Sequence, residues 1–154
     1  MTPRLNPFAA APQLMSQMVE YAKSVQDSGL EPSLVELVKI RASQINGCAI
    51  CLNMHTAEAR RRGEIEERIY MLDAWRESPL YNARERAALG WTEALVRLAE
   101  TRAPDEAYEA IWSEFSQEEQ VKLTLLINVI NSFNQFGVGL RRSPEADGRK
   151  KAAA

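Results

Sequence analysis

The sequence predicts an all-α fold, a compact multi-helix bundle formed by a single domain over residues 1–154. Three observations lead there. Apolar residues recur at helical rather than strand spacing in almost every segment. Two Asn/Ser-x-x-Glu sequences, Asn82 with Glu85 and Ser116 with Glu119, stand where helices should begin. The one stretch that could pass for a buried strand, 123–130, follows the second of these inside a segment of helical length.

Taken in order, Asn6 to Pro12 holds two prolines and reads as part of an extended arm over residues 1–11. A helix over Pro12–Gln26 then places Leu14, Met18, Val19 and Ala22 on one side, and Gly29 ends it. Pro32 suits a first helical position, and 33–45 carries a wide apolar arc of Leu34, Val35, Leu37, Val38, Ile40 and Ile45. Asn46-Gly47 breaks the chain before a third helix, 48–62, closed by Gly63. A fourth covers 64–75 with Ile65, Ile69, Tyr70 and Leu72, and 78–82 connects it onward. Asn82 caps a helix that runs to about Thr101, and Pro104-Asp105 starts another to about Phe115. The longest, about 117–141, is a C-terminal helix apolar nearly all round in its middle, which requires burial in the bundle or at a subunit interface. Residues 143–154 read as a polar tail.

Charge and composition narrow the function. A net charge of −2 gives no field to attract nucleic acid or an anionic membrane surface, so neither is expected as a partner. No apolar run reaches the roughly 18 residues of a spanning helix, and the first twelve positions lack the basic and apolar regions of a secretory signal, so the expected location is cytoplasmic. No G-x-G-x-x-G sequence offers a nucleotide site. A chain of this length folds without disulfide or metal staples. The 2 cysteines and the 1 histidine are therefore not needed for folding, yet all three fall within 48–55.

Cys48, Cys51 and His55 span about 60° of arc on one helix, so the three side chains share a face with Leu52 and Ala59. Cys48 and Cys51 lie in the first turn, where free N–H groups and the helix dipole lower a thiol's pKa. His55, one turn beyond Cys51, can accept its proton or stabilise its thiolate, which centres the chemistry on Cys51. Three other readings fit the same residues. The thiols could be inert core side chains. They could bind zinc with His55 and a carboxylate, although no second Cys or His segment exists. They could form a purely structural disulfide, which a cytosolic chain does not need.

Glu36, Cys48, Cys51 and His55 match an E-x11-C-x2-C-x3-H pattern, and the chain thereby resembles the alkylhydroperoxidase D-like branch of the carboxymuconolactone decarboxylase superfamily. The run from Lys39 to Cys48 is similar to that family's core helix pair, and 85–89 and 123–131 are similar to its later helices. The resemblance implies an all-α bundle and a thiol-dependent peroxidase acting in antioxidant defence. It implies that Cys51 attacks the peroxide and becomes a sulfenic acid, that Cys48 resolves it as a disulfide, and that His55 and Glu36 form a proton relay. It also implies reduction by a dithiol or a lipoyl or thioredoxin-like protein, no flavin, haem or metal, and assembly as a trimer or hexamer. A second apolar side on the cysteine helix, at Ile50, Met54 and Ala57, agrees with a homo-oligomer.

Three positions stand apart from this picture. Helix geometry groups Glu36 with Lys39 and Ser43 away from the apolar arc, as a solvated carboxylate, and only the motif assigns it to the relay. Arg41 lies amid the arc, where a guanidinium needs a partner in the protein or across an interface. The best-known peroxidase members carry a histidine just before the second cysteine, and Ile50 stands there instead, shortening the implied relay. The decarboxylase branch lacks the cysteine pair. From a different functional class, the competing reading is a non-enzymatic redox sensor or binding protein that uses the same disulfide as a switch.

Overall fold

The computed structural model describes residues 2–142, which form nine α-helices and one 3-10 turn with no strand among them. Helix α1 covers Pro7–Ala10, α2 Pro12–Gln26, α3 Pro32–Asn46, α4 Ala49–Arg61 and α5 Glu66–Tyr70. The 3-10 turn is Met71–Ala74, followed by α6 Ala83–Val96, α7 Leu98–Thr101, α8 Asp105–Glu114 and α9 Gln117–Gly139. The polar tail expected at 143–154 lies outside the described residues.

Helix α3 is the axis of the bundle. Every residue from Leu34 to Ser43 is buried, because α4, α6 and α9 surround it. One side of α3, with Leu34, Val35 and Val38, closes a core with Ala88 and Trp91 of α6, Ile111 of α8 and Leu123, Leu126 and Ile127 of α9. Another, with Leu37 and Ile40, meets Ala59, Ile69, Leu72, Trp75 and Leu89. A third and smaller cluster joins Ala42 to Cys48, Ile50, Cys51 and Ile130. Fully burying each aliphatic side chain contributes about 1.5–3 kcal/mol, so truncating Leu37 to Ala at the centre would cost roughly 2–5 kcal/mol.

Both capping boxes form. The Asn82 side chain accepts from Glu85 N while Glu85 accepts from Asn82 N, and Ser116 and Glu119 do the same at the start of α9. Five local expectations need correction. The extended arm contains a helical turn, α1, because Asn6 caps Phe8 N and Pro7 supplies a ready first helical φ. Arg4 N then ties this segment to Leu140 O at 3.0 Å.

On α2 the inward stripe is Met15, Met18, Ala22 and Val25, spaced three, four and three residues apart, which leaves Leu14 and Val19 exposed. The helix expected over 64–75 is α5 followed by the 3-10 turn. Ile69, Leu72 and Trp75 are all buried at a spacing of three, which a three-residue turn aligns on one side. The helix expected to reach Thr101 breaks at Arg97, with the Thr101 hydroxyl donating to Ala94 O at 2.7 Å. Along α9 the apolar residues divide, Leu123, Leu126, Ile127 and Ile130 turning inward while Val121 is exposed. On α4, Ile50 is likewise buried against the bundle and only Met54 and Ala57 face out.

Candidate active site around Cys48 and Cys51

The turn between α3 and α4 sets the site. Gly47 takes the left-handed conformation, φ 65°, that a side chain would strain, and returns its N–H to Gln44 O while Cys48 N bonds Ser43 O. The chain reverses within two residues, and α4 lies back along α3. Cys48 becomes the N-cap of α4 rather than its first helical residue, and Cys51 occupies the first turn. The two cysteines form a disulfide with Cα atoms 5.3 Å apart.

Around the sulfurs the packing is unequal. Cys48 is 1% exposed and sits beneath α9. Cys51 lines a cleft of about 340 Å³ between α2, α4 and α9, together with His55, Lys39 and Gln26. The rest of the cleft is mainly apolar, with Ile50 and Met54 from α4, Val19 and Ala22 from α2, and Leu126, Val129, Ile130 and Phe133 from α9. Gly137 of α9 lies over the disulfide.

Behind the cleft runs a buried polar chain. His55 Nδ1 is 2.9 Å from Glu36 Oε2, and the other oxygen of Glu36 accepts from Lys39 Nζ at 3.2 Å. Lys39 also donates to Gln26 Oε1. The Glu36 side chain is 2% exposed, so the surface placement that helix geometry favours is corrected: the face opposite the apolar arc is the one covered by α2 and α4. Burial pushes the Glu36 carboxyl up, but the hydrogen bond from His55 and the charge of Lys39 outweigh it and hold the pKa below the ordinary carboxylate value. For Lys39 burial prevails over the attraction of Glu36, and its pKa falls below that of a free lysine.

The structure thus brings together Glu36, Cys48, Cys51 and His55. Sequence reasoning missed Lys39 and Gly137. A signal for Lys39 was present, since Glu36, Lys39, Ser43 and Asn46 make a polar stripe at spacings of three and four along the helix. Its lower members are satisfied within the protein: Asn134 donates to Ser43 Oγ at 3.1 Å, and Asn46 donates to Asn131 and Asn134. Arg41 is a buried structural ion pair, bonded to Glu93 at 2.8 Å and paired with Asp73. Among the described residues no group of three His, Cys, Asp or Glu is placed to hold a metal ion, and no helix is long and apolar enough to cross a membrane.

The carboxymuconolactone decarboxylase family profile matches residues 12–94, more than half the chain and the segment holding α2 to α6 with the whole polar chain and both cysteines. The chain belongs to the carboxymuconolactone decarboxylase family. Within that family it falls in the alkylhydroperoxidase D-like branch. The uncharacterized protein YdfG of Bacillus subtilis is 40% identical, over 91% of this chain and 95% of its own length. A protein of unknown function from Agrobacterium tumefaciens, proposed as an antioxidant defence protein AhpD, superposes with a TM-score of 0.90 at 44% identity, covering 92% of this chain and 97% of that one. A peroxidase-related protein from Silicibacter shares the fold, with a TM-score of 0.79 at 20% identity over 92% of this chain and 75% of its own.

Proposed function

We propose that this member of the carboxymuconolactone decarboxylase family is a thiol-dependent peroxidase that reduces organic hydroperoxides or hydrogen peroxide. One observation carries the reading: of the two disulfide sulfurs, the one that lines an accessible cleft is that of Cys51, in the first turn of α4 and beside a histidine already held by a carboxylate. In the reduced protein His55 takes the Cys51 proton, and the thiolate attacks the terminal oxygen of the hydroperoxide. The S–O bond forms as the O–O bond breaks, and the departing alkoxide collects the proton from His55 as an alcohol. Cys48 sulfur then displaces water from the sulfenic acid, giving the disulfide. Two electrons and two protons from a dithiol, a lipoyl group or a thioredoxin-like protein restore both thiols. Ile50 contributes no proton carrier, so proton traffic runs through His55 and its support by Glu36.

The test is a steady-state assay of hydroperoxide consumption with a dithiol donor. Wild type should turn over, and Cys51→Ser and Cys48→Ser should not. If wild type consumes no hydroperoxide above the Cys51→Ser protein, with several peroxides and donors, the peroxidase reading fails. A disulfide that forms with peroxide but does not cycle would place the protein among redox switches instead. Sedimentation of the same samples checks the expected homo-oligomer, a trimer or hexamer.

A further inference from the structure

We infer that Lys39 is a positioning residue of the thiol chemistry, holding the buried Glu36 as a carboxylate so that His55 keeps its Nδ1 proton and offers Nε2 as the base. This rests on the peroxidase reading only for its biological purpose, since the chemistry concerned is the reactivity of the Cys51 thiol. The geometry is a line of four side chains from α3 and the two helices beside it: Gln26 of α2 accepts from Lys39 of α3, Lys39 bonds one oxygen of Glu36, and the other oxygen meets His55 of α4. Lys39 is 7% exposed and Glu36 1%, so both charges are largely withdrawn from water and each depends on the other.

A buried carboxylate beside a neutral imidazole has two arrangements. As a carboxylate it accepts from Nδ1–H, leaving the Nε2 lone pair free. With one further proton, taken from solvent, it is a carboxylic acid that donates to Nδ1, the ring proton sits on Nε2, and the base is lost. Burial alone favours the acid. The Lys39 ammonium opposes this from the far oxygen. The other charges facing this pair are those of Glu58 and Arg61 on α4 and of Arg62 just after it, and those of Lys23 on α2 and Arg142 after α9, the last two lining the same cleft. Those five belong to more exposed side chains and act through solvent, whereas Lys39 makes direct contact. The chain thereby supports its single histidine electrostatically where Ile50 offers no proton carrier.

The readout is the pH dependence of Cys51 alkylation by iodoacetamide in the Cys48→Ser background, which reports the thiolate without needing peroxide turnover. Lys39→Met should move the rising limb up by about one pH unit and slow the reaction at neutral pH about tenfold, and Lys39→Arg should restore most of both. Superimposable profiles for a folded Lys39→Met protein would overturn the inference, as would equal shifts in Lys39→Met and Lys39→Arg. Should Lys39→Met fail to fold, Glu36→Gln/Lys39→Met removes both buried charges together. If Lys39 acts through Glu36, that double variant alkylates with the profile of Glu36→Gln alone, and a further shift of half a unit or more, as order of magnitude, would refute it. Absence of peroxide turnover with an intact Lys39 effect would sink the peroxidase reading and leave this one standing.

Discussion

Gly137 of α9 lies directly against the sulfur of Cys48: a Cβ at this position would stand 2.5 Å from Cys48 Sγ, 3.3 Å from Ile50 Cγ2 and 3.6 Å from Cys51 Sγ. In the oxidised protein that sulfur is tied to Cys51 and cannot swing aside, whereas a reduced Cys48 can rotate. Gly137→Ala should therefore penalise the disulfide more than the dithiol. Overpacking of this kind costs about 1–3 kcal/mol, equivalent for a two-electron couple to a rise of roughly 20–60 mV in midpoint potential. Equilibration against a glutathione or dithiothreitol series measures it. An unchanged potential would mean that α9 yields instead.

The unequal burial of the two sulfurs gives a second expectation. Cys48→Ser leaves the cleft-lining thiol of Cys51 without a resolving partner, so one equivalent of hydroperoxide should leave a sulfenic acid that dimedone traps and mass spectrometry places on Cys51. Cys51→Ser leaves a thiol under α9, and it should react at least tenfold more slowly, as order of magnitude for a buried sulfur away from the cleft. Equal labelling of the two variants would refute the assignment of roles.

The helices and the histidine pairing were legible from sequence to different depths. Asn82, Ser116 and Pro32 act locally, through hydrogen bonds to the next turn or a preset φ, and local rules find them. The inward face of α2 was half legible, because Met18 and Ala22 belong to the buried stripe, but only contact with the rest of the bundle selects Met15 over Leu14. Glu36 exposes the limit of periodicity. An amphipathic pattern separates polar from apolar, and on a helix surrounded on all sides it cannot separate outside from inside. The motif spacing grouped Glu36 with His55, and the structure places the two 2.9 Å apart, because that spacing does not depend on which face is buried. Gly137 lies 89 positions from Cys48, and nothing local links them.

Glu36 ties the site to stability through pH. Its folded pKa is depressed, so the unfolded chain binds the extra proton first. The stabilisation is fully present above the ordinary glutamate value of about 4.3 and is lost as pH falls through the folded pKa. Glu36→Gln leaves Lys39 as a buried charge without a counterion and should cost roughly 3 kcal/mol at pH 7. Because the other carboxylates with lowered pKa values are common to both proteins, the gap between wild type and Glu36→Gln should narrow below pH about 4. Urea midpoints at a series of pH values check this, and a gap independent of pH would show that Glu36 contributes packing rather than charge.

Arg41 of α3 and Glu93 of α6 supply a control, a buried ion pair outside the lining of the cysteine cleft. Glu93 receives bonds at 2.8 Å from Arg41, from Trp75 Nε1 and from Arg76, and these outweigh the burial that would otherwise raise its pKa. Removing it leaves the buried guanidinium with Gln44 and the exposed Asp73 alone and strands the Trp75 indole N–H, while removing Arg41 leaves Glu93 two of its three partners. Glu93→Ala should therefore cost about 3–5 kcal/mol, and Arg41→Met less. Neither change touches the line from Gln26 to His55. The pH profile of Cys51 alkylation should stay where it is in both variants, and a displaced profile would mean that this pair belongs to the thiol chemistry after all.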